Sequence, residues 1–178
     1  MNYAEELKLL GAHLQGGLRP SRADWERVER EVNLRVPDDY KIVVSHFGAG
    51  RFGANIALRN PLHPDPMFRF SKETLRSWDN VINYWPKEEQ QLFYPNAGGL
   101  LFMGIVGDGA GLYYRVDYAS RVLGGAYVYD GEMGDLLSIP PISEFIWRLY
   151  TGNCAKEKWS EFRPPCWGNE QPLFMAQK

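Results

Sequence analysis

Five groups of residues in this chain have types and spacings that could do chemistry. Gly48-Ala49-Gly50-Arg51-Phe52-Gly53 satisfies G-x-G-x-x-G, the pattern in which glycines let the backbone approach a pyrophosphate seated on a helix N-terminus. Residues 54–61 end in Asn60-Pro61 and are too short and too proline-limited for that helix. No acid stands about twenty residues on at a strand end, the nearest being Asp65 and Glu73. The run therefore predicts a helix C-cap and a tight turn, with no cofactor. Gly107-Asp108-Gly109-Ala110-Gly111 could cradle an ion, but Asp108 has no second carboxylate at ligand spacing and no Gly-Lys-Ser/Thr follows. A hairpin turn whose glycines supply positive φ is the expectation.

The histidines His13, His46 and His63 fall in a helix, at a helix end and in a proline loop, and none neighbours a serine or cysteine in a nucleophile context. Without G-x-S-x-G, H-E-x-x-H or paired carboxylates, catalysis has no local support, and the chain is expected not to be an enzyme. Cys154 and Cys166 form no C-x-x-C and have no nearby histidine, which predicts free thiols in a reducing compartment, a disulfide being the alternative, and no metal site. Glu29 is the oddity. It shares a helical stripe with Trp25, Val28 and Val32, and an unpaired carboxylate buried there would cost several kcal/mol. It is either a general base in a pocket or an acceptor for backbone N–H groups left over at a helix end, and the second is expected.

The elements that must position these residues follow from periodicity and punctuation. Tyr3, Leu7, Leu10 and Leu14 give a helix over 3–14, ended by Gly16-Gly17. Ser21 opens a second helix, with Asp24 completing a variant capping box. Pro37 suits the first turn of a third helix, where Asp38 and Asp39 complement the dipole, and Gly48 is its expected left-handed C-cap. Short strands broken by glycine occupy 52–58, closed by the turn Asn60-Pro61, and Pro61, Pro64 and Pro66 make an extended loop. A fourth helix runs from Ser71 through Leu75, Trp78, Val81, Ile82 and Trp85 to Pro86. The period then changes to two, giving strands over 100–106, 112–117, 126–130 and 136–139, and a last helix carries Phe145, Ile146 and Leu149 to Gly152. The fold class is α+β, an antiparallel meander with helices packed around it.

At 178 residues and 44% apolar content the chain is read as one domain over 1–178, with an N-terminal helix over 3–14 and a packed C-terminal extension over 153–178. A formal charge of −2 argues against a protein that tracks nucleic acid by neutralising phosphates. No apolar run is long enough to span a membrane, and Met1-Asn2-Tyr3-Ala4-Glu5-Glu6 has no signal-peptide character, so a cytoplasmic location is expected. Charge is uneven. Residues 100–151 carry Asp108, Asp117, Asp130, Glu132, Asp135 and Glu144 against Arg115, Arg121 and Arg148. That surplus is either a solvated loop surface or a face for a basic partner.

In order and spacing, Trp25 with Glu29, Val36-Pro37 with Asp39-Tyr40, Gly48 with Gly50, Asn60-Pro61, Gly107-Asp108 with Gly111, Tyr113 and Tyr114, and Phe145 in the last helix resemble the SUKH superfamily over roughly residues 21–151. Asn33 departs from the usual glycine, a swap that a left-handed conformation tolerates, and Pro140-Pro141 replaces the serine expected before the last helix. The resemblance implies an α+β fold in which Trp25, Glu29, Pro37, Tyr40, Gly48, Gly50, Asn60 and Pro61 are scaffold. It implies an immunity protein that binds a cognate bacterial toxin, in this family often a nuclease, and neutralises it by occlusion. The expected partner-binding residues are Asp108, Tyr113, Tyr127, Tyr129, Asp130, Glu132 and Asp135, since tyrosine gives contact area with a hydrogen-bonding tip. The alternatives are a regulatory scaffold like the family's fungal cell-wall regulator, and a small-ligand protein or enzyme with a deep pocket lined by Glu29 and a histidine.

Overall fold

The glycine-punctuated second half of the chain builds most of one antiparallel sheet, seen in the computed structural model, which describes residues 2–10, 17–53, 56–107, 109–130, 134–162 and 174–176. Strands β1 (Gly50–Phe52), β2 (Ile56–Leu58), β3 (Leu100–Val106), β4 (Ala110–Asp117), β5 (Val122–Asp130) and β6 (Asp135–Ile139) form a meander in chain order. A seventh strand, β7 (Phe174–Ala176), adds antiparallel to the outer edge of β1, so the C-terminal extension contributes to the sheet as well as packing on it. The helices are α1 (Tyr3–Leu10), α2 (Arg22–Val32), α3 (Asp38–Phe47), α4 (Lys72–Ile82), α5 (Lys87–Gln90) and α6 (Ile142–Thr151). The expected end of α1, with His13, lies outside the described residues, as does Cys166.

Local chemistry accounts for the helix ends. Ser21 Oγ accepts from Asp24 N at 3.2 Å while Asp24 Oδ2 accepts from Ser21 N at 2.9 Å, completing the capping box that opens α2. Asn33 ends α2 in the left-handed conformation, at φ 55° and ψ 44°. Pro37 stands at the N-cap of α3 and not in its first turn, and Gly48 leaves that helix at φ 83° and ψ −154°, a positive-φ extended geometry that turns the chain directly into β1. α4 stops short of its expected end: Trp85 lies past Ile82, and the short α5 follows Pro86, whose fixed φ starts a new turn. The proline pair before α6 supplies no side-chain cap. Asp39 of α3 does so instead, accepting from Ser143 N at 3.0 Å and from Ser143 Oγ.

Both faces of the sheet are covered. Leu101, Met103, Leu112, Tyr114, Val116 and Val128 turn toward α2, α3 and α6, while Leu100, Phe102, Tyr113 and Tyr129 turn the other way, against Ile82 and Phe93. Trp159 and Phe162 of the extension join the first layer, beside the buried thiol of Cys154. Two bulges bend the ladder: Met103 is the extra residue of β3 opposite β4, and Gly125, at φ 62°, is the extra residue of β5. That bulge explains why β5 starts at Val122, earlier than an alternating pattern interrupted by Gly124-Gly125 predicts. Gly104, just past the other bulge, lets β2 come close, since a Cβ there would lie 2.3 Å from Ala57 O.

α3 is fastened to this sheet by one buried hydroxyl. Tyr40 Oη lies 2.9 Å from Arg59 O and 2.8 Å from Met103 O, and its proton is shared between the two carbonyls. Burial pushes the phenol well above its ordinary pKa, which keeps it a donor. Replacing Tyr40 by Phe should lower stability by about 1–3 kcal/mol, read from the urea midpoint at unchanged m-value. Asn33→Ala should lose about 1 kcal/mol while Asn33→Gly stays within a few tenths, because only the first change penalises a left-handed residue.

Candidate functional site: a groove between α2, α3 and β5

Glu29 is the residue around which the site forms. Its Oε1 accepts from Val36 N at 2.8 Å and from Lys41 Nζ at 3.2 Å, so the carboxylate on the apolar stripe of α2 serves the backbone after the helix. Lys41 also reaches Asp38 Oδ1 at 2.9 Å. Burial opposes the charge of Lys41, but its hydrogen bonds to Asp38 and Glu29 outweigh that and hold its pKa above the ordinary value. Trp25 Nε1 donates to Ser45 Oγ at 2.8 Å, tying α2 to α3 across the same space.

The segment after α2 then pairs with the sheet. Arg35 N donates to Arg121 O at 2.7 Å and Leu123 N donates to Arg35 O at 2.9 Å, an isolated parallel bridge on the stretch of β5 that β6 leaves uncovered. Helix α2, this bridged segment, α3 and the first residues of β5 enclose a groove of about 1040 Å³. Its floor is apolar, drawn from Trp25, Val36, Pro37, Ile42, Val122 and Leu123. The rim is charged, with Arg22 and Glu26 on one side and Asp38 and Lys41 on the other. A second hollow of about 600 Å³ shares Glu26, Glu29 and Arg35 with it and continues past Asn33 to Arg121. Glu29 thus lines a pocket, but neither described histidine lines it or the second hollow: His63 is buried in the proline loop with Nδ1 accepting from Asp65 N at 3.1 Å, and His46 packs on Phe47.

The residues expected to meet a partner are placed differently. Tyr113 and Tyr129 are only 3% and 4% exposed, packed by tilted and edge-to-face contacts among Phe93 and Phe102, with Tyr129 Oη donating to Glu89 Oε2 at 3.0 Å. Their contact area is already covered by the second aromatic layer. Tyr127 is half-buried and Asp135 is exposed; Asp108, Glu132 and the side chain of Asp130 lie outside the described residues. Part of the acidic surplus is also engaged internally. Asp117 accepts from Ser120 Oγ at 2.6 Å and from Ala119 N at 2.9 Å, which holds its pKa below the usual carboxylate value, and Glu144 pairs with Arg148.

Of the scaffold residues, Asn60 is fully buried: Nδ2 donates to Leu18 O at 2.9 Å and Oδ1 accepts from Leu62 N at 2.8 Å, so Asn60-Pro61 anchors two loops at once. Gly48 and Gly50 flank the turn between a helix and a strand, and no helix N-terminus follows them. The groove residues Arg35, Ile42, Val122 and Leu123 carry no sequence motif. In the structure Ile42 is an apolar residue 41% exposed beside the core-facing Val43 and Val44. Among the described residues no helix is long and apolar enough to cross a membrane, and no group of three or more His, Cys, Asp and Glu could hold a metal ion.

Comparison of the chain with protein-family models, with curated proteins and with solved structures returned no match. Glu29→Ala, which leaves Val36 N–H without its acceptor, should destabilise the fold by about 1–3 kcal/mol, whereas Glu29→Gln should retain most of that stability; chemical denaturation measures both.

Proposed function

We propose that this chain is an immunity protein that binds a cognate bacterial toxin and neutralises it by covering its active site or substrate groove. The observation that carries the reading is the groove between α2, α3 and β5, with its apolar floor and charged rim. A floor of this kind takes an anchoring side chain, and a rim of mixed charge selects the partner's orientation. The resemblance to SUKH proteins supplies the toxin as partner. The contact surface moves from the sheet tyrosines to this groove, because Tyr113 and Tyr129 are packed within the fold. A specific complex would bury roughly 1,600 Å² in total, an area larger than the groove, so the neighbouring surface takes part.

The mechanism is steric. Nothing in it requires a bond to be made or broken by this chain. Trp25 and Pro37 are held rigid by α2 and α3, Lys41 is fixed by two carboxylates, and Ile42 stands out from the helix with little conformational freedom to lose on binding.

Growth rescue tests the reading. Where a toxic domain is encoded directly upstream, its co-expression with this chain should restore growth, and the two should purify as one dominant complex. Failure to rescue overturns the immunity role, and a set of substoichiometric cellular partners instead would indicate a regulatory scaffold. Ile42→Asp, at an exposed floor position, should weaken the complex at least about tenfold, equivalent to about 1.4 kcal/mol, without lowering the melting temperature.

A further inference from the structure

The carboxylates that line the groove and its neighbouring hollow are all engaged within the chain. Glu26 pairs with Arg22 at 2.7 Å, Glu29 takes Val36 N and Lys41, and Asp38 takes Lys41. Three arginines of the hollow have no such partner. Arg30, Arg35 and Arg121 are exposed, and no carboxylate of the described residues pairs with any of them. Arg30 Nε is held by Glu26 O at 3.1 Å, and the guanidinium of Arg121 lies over the Tyr118 ring at 5.1 Å. The bridge between Arg35 N and Arg121 O sets these two residues side by side, although they are far apart in the chain. Together the two hollows are lined by five cationic side chains and three anionic ones, on a chain whose formal charge is −2.

We infer that this trough receives an acidic, leucine-bearing segment of a partner protein, its carboxylates meeting Arg30, Arg35 and Arg121 and its apolar side chain lying on the floor beside Ile42 and Leu123. The inference deepens the protein-binding reading above by naming the chemistry of the partner. Guanidinium groups take carboxylates through two parallel hydrogen bonds, a geometry that fixes a partner's register as well as attracting it. A nucleic acid would also seek arginines. However, the adjoining apolar floor offers nothing to a phosphate backbone, and the overall negative charge opposes one. The acidic residues of the sheet half are then not the contact face: they belong to the surface that repels such a partner and directs it to the trough.

The test is a fluorescence titration of the full chain with a short labelled peptide in which a leucine pair is flanked by glutamates. Its lysine-for-glutamate counterpart and a single-stranded DNA oligonucleotide serve as rival probes. The acidic peptide should saturate and bind at least about tenfold more tightly than the lysine peptide at low salt, with the difference shrinking as salt is raised. Arg30→Glu, Arg35→Glu and Arg121→Glu combined should abolish the titration, and Arg76→Glu, on α4 and outside both hollows, should leave it unchanged. Should the triple reversal unfold the chain, the single Gln variants at the same positions replace it, each weakening binding by a smaller factor.

Equal binding of both peptides, or a titration indifferent to the arginines, overturns the inference, and binding of the oligonucleotide alone reassigns the trough to nucleic acid. A toxin that co-purifies undiminished with the triple variant leaves the immunity reading standing and removes this one. Peptide binding without toxin rescue does the reverse.

Discussion

The hydroxyl of Tyr40 is the interaction on which the arrangement of layers depends. It reaches two carbonyls, Arg59 O beyond the end of β2 and Met103 O at the bulge of β3, at the place where the sheet ladder is irregular. A bulge leaves backbone groups without their regular ladder partners, and in a dry interior an unmet carbonyl is costly. Met103 O is met twice, by Tyr40 and by Arg59 N at 2.8 Å, so the bulge is satisfied and α3 is fixed to the sheet at once. Edge-to-face contacts of Tyr40 with Trp25 and Tyr114 extend the same anchor to α2 and β4.

With α3 fixed, the groove follows. Trp25 bonds to Ser45 of that helix, Glu29 holds Val36 and Lys41, and the segment between α2 and α3 is drawn out far enough to bridge β5 at Val122. The bridge covers a strand edge that would otherwise be open to non-specific pairing. The carboxylate of Glu29 is thereby used as a structural acceptor. It also leaves the apolar faces of Val36, Pro37 and Ile42 turned toward the cleft between the two helices.

The second aromatic layer has the opposite consequence. Residues 82–93 fold back over the sheet so that Ile82 and Phe93 cover Phe102, Tyr113 and Tyr129. Alternation along β4 and β5 correctly separates Tyr113 from Tyr114 and Tyr129 from Val128, but it cannot say whether the second face is wet or covered. In an isolated meander Tyr113 and Tyr129 would face solvent; here they face Phe93. The loop over 83–99 has weak periodicity, and Trp85 continues the spacing of α4 while lying outside it, so its role as a lid was hidden.

What the sequence determined by itself was whatever is set within a few residues of chain: the capping box at Ser21 and Asp24, the left-handed end at Asn33, the turn glycines, the two-residue period of the strands and the antiparallel order of the meander. These rest on φ/ψ limits and on hydrogen bonds that close over three or four residues. Tertiary structure decided the cap of α6 by Asp39, the fate of Tyr113 and Tyr129, the strand added by residues 174–176, and the trough that sets Arg35 beside Arg121. Each of those needs two segments distant in the chain to meet. That meeting is governed by the summed burial of both sheet faces and the satisfaction of buried carbonyls, quantities that belong to the whole fold and to no local stretch of it.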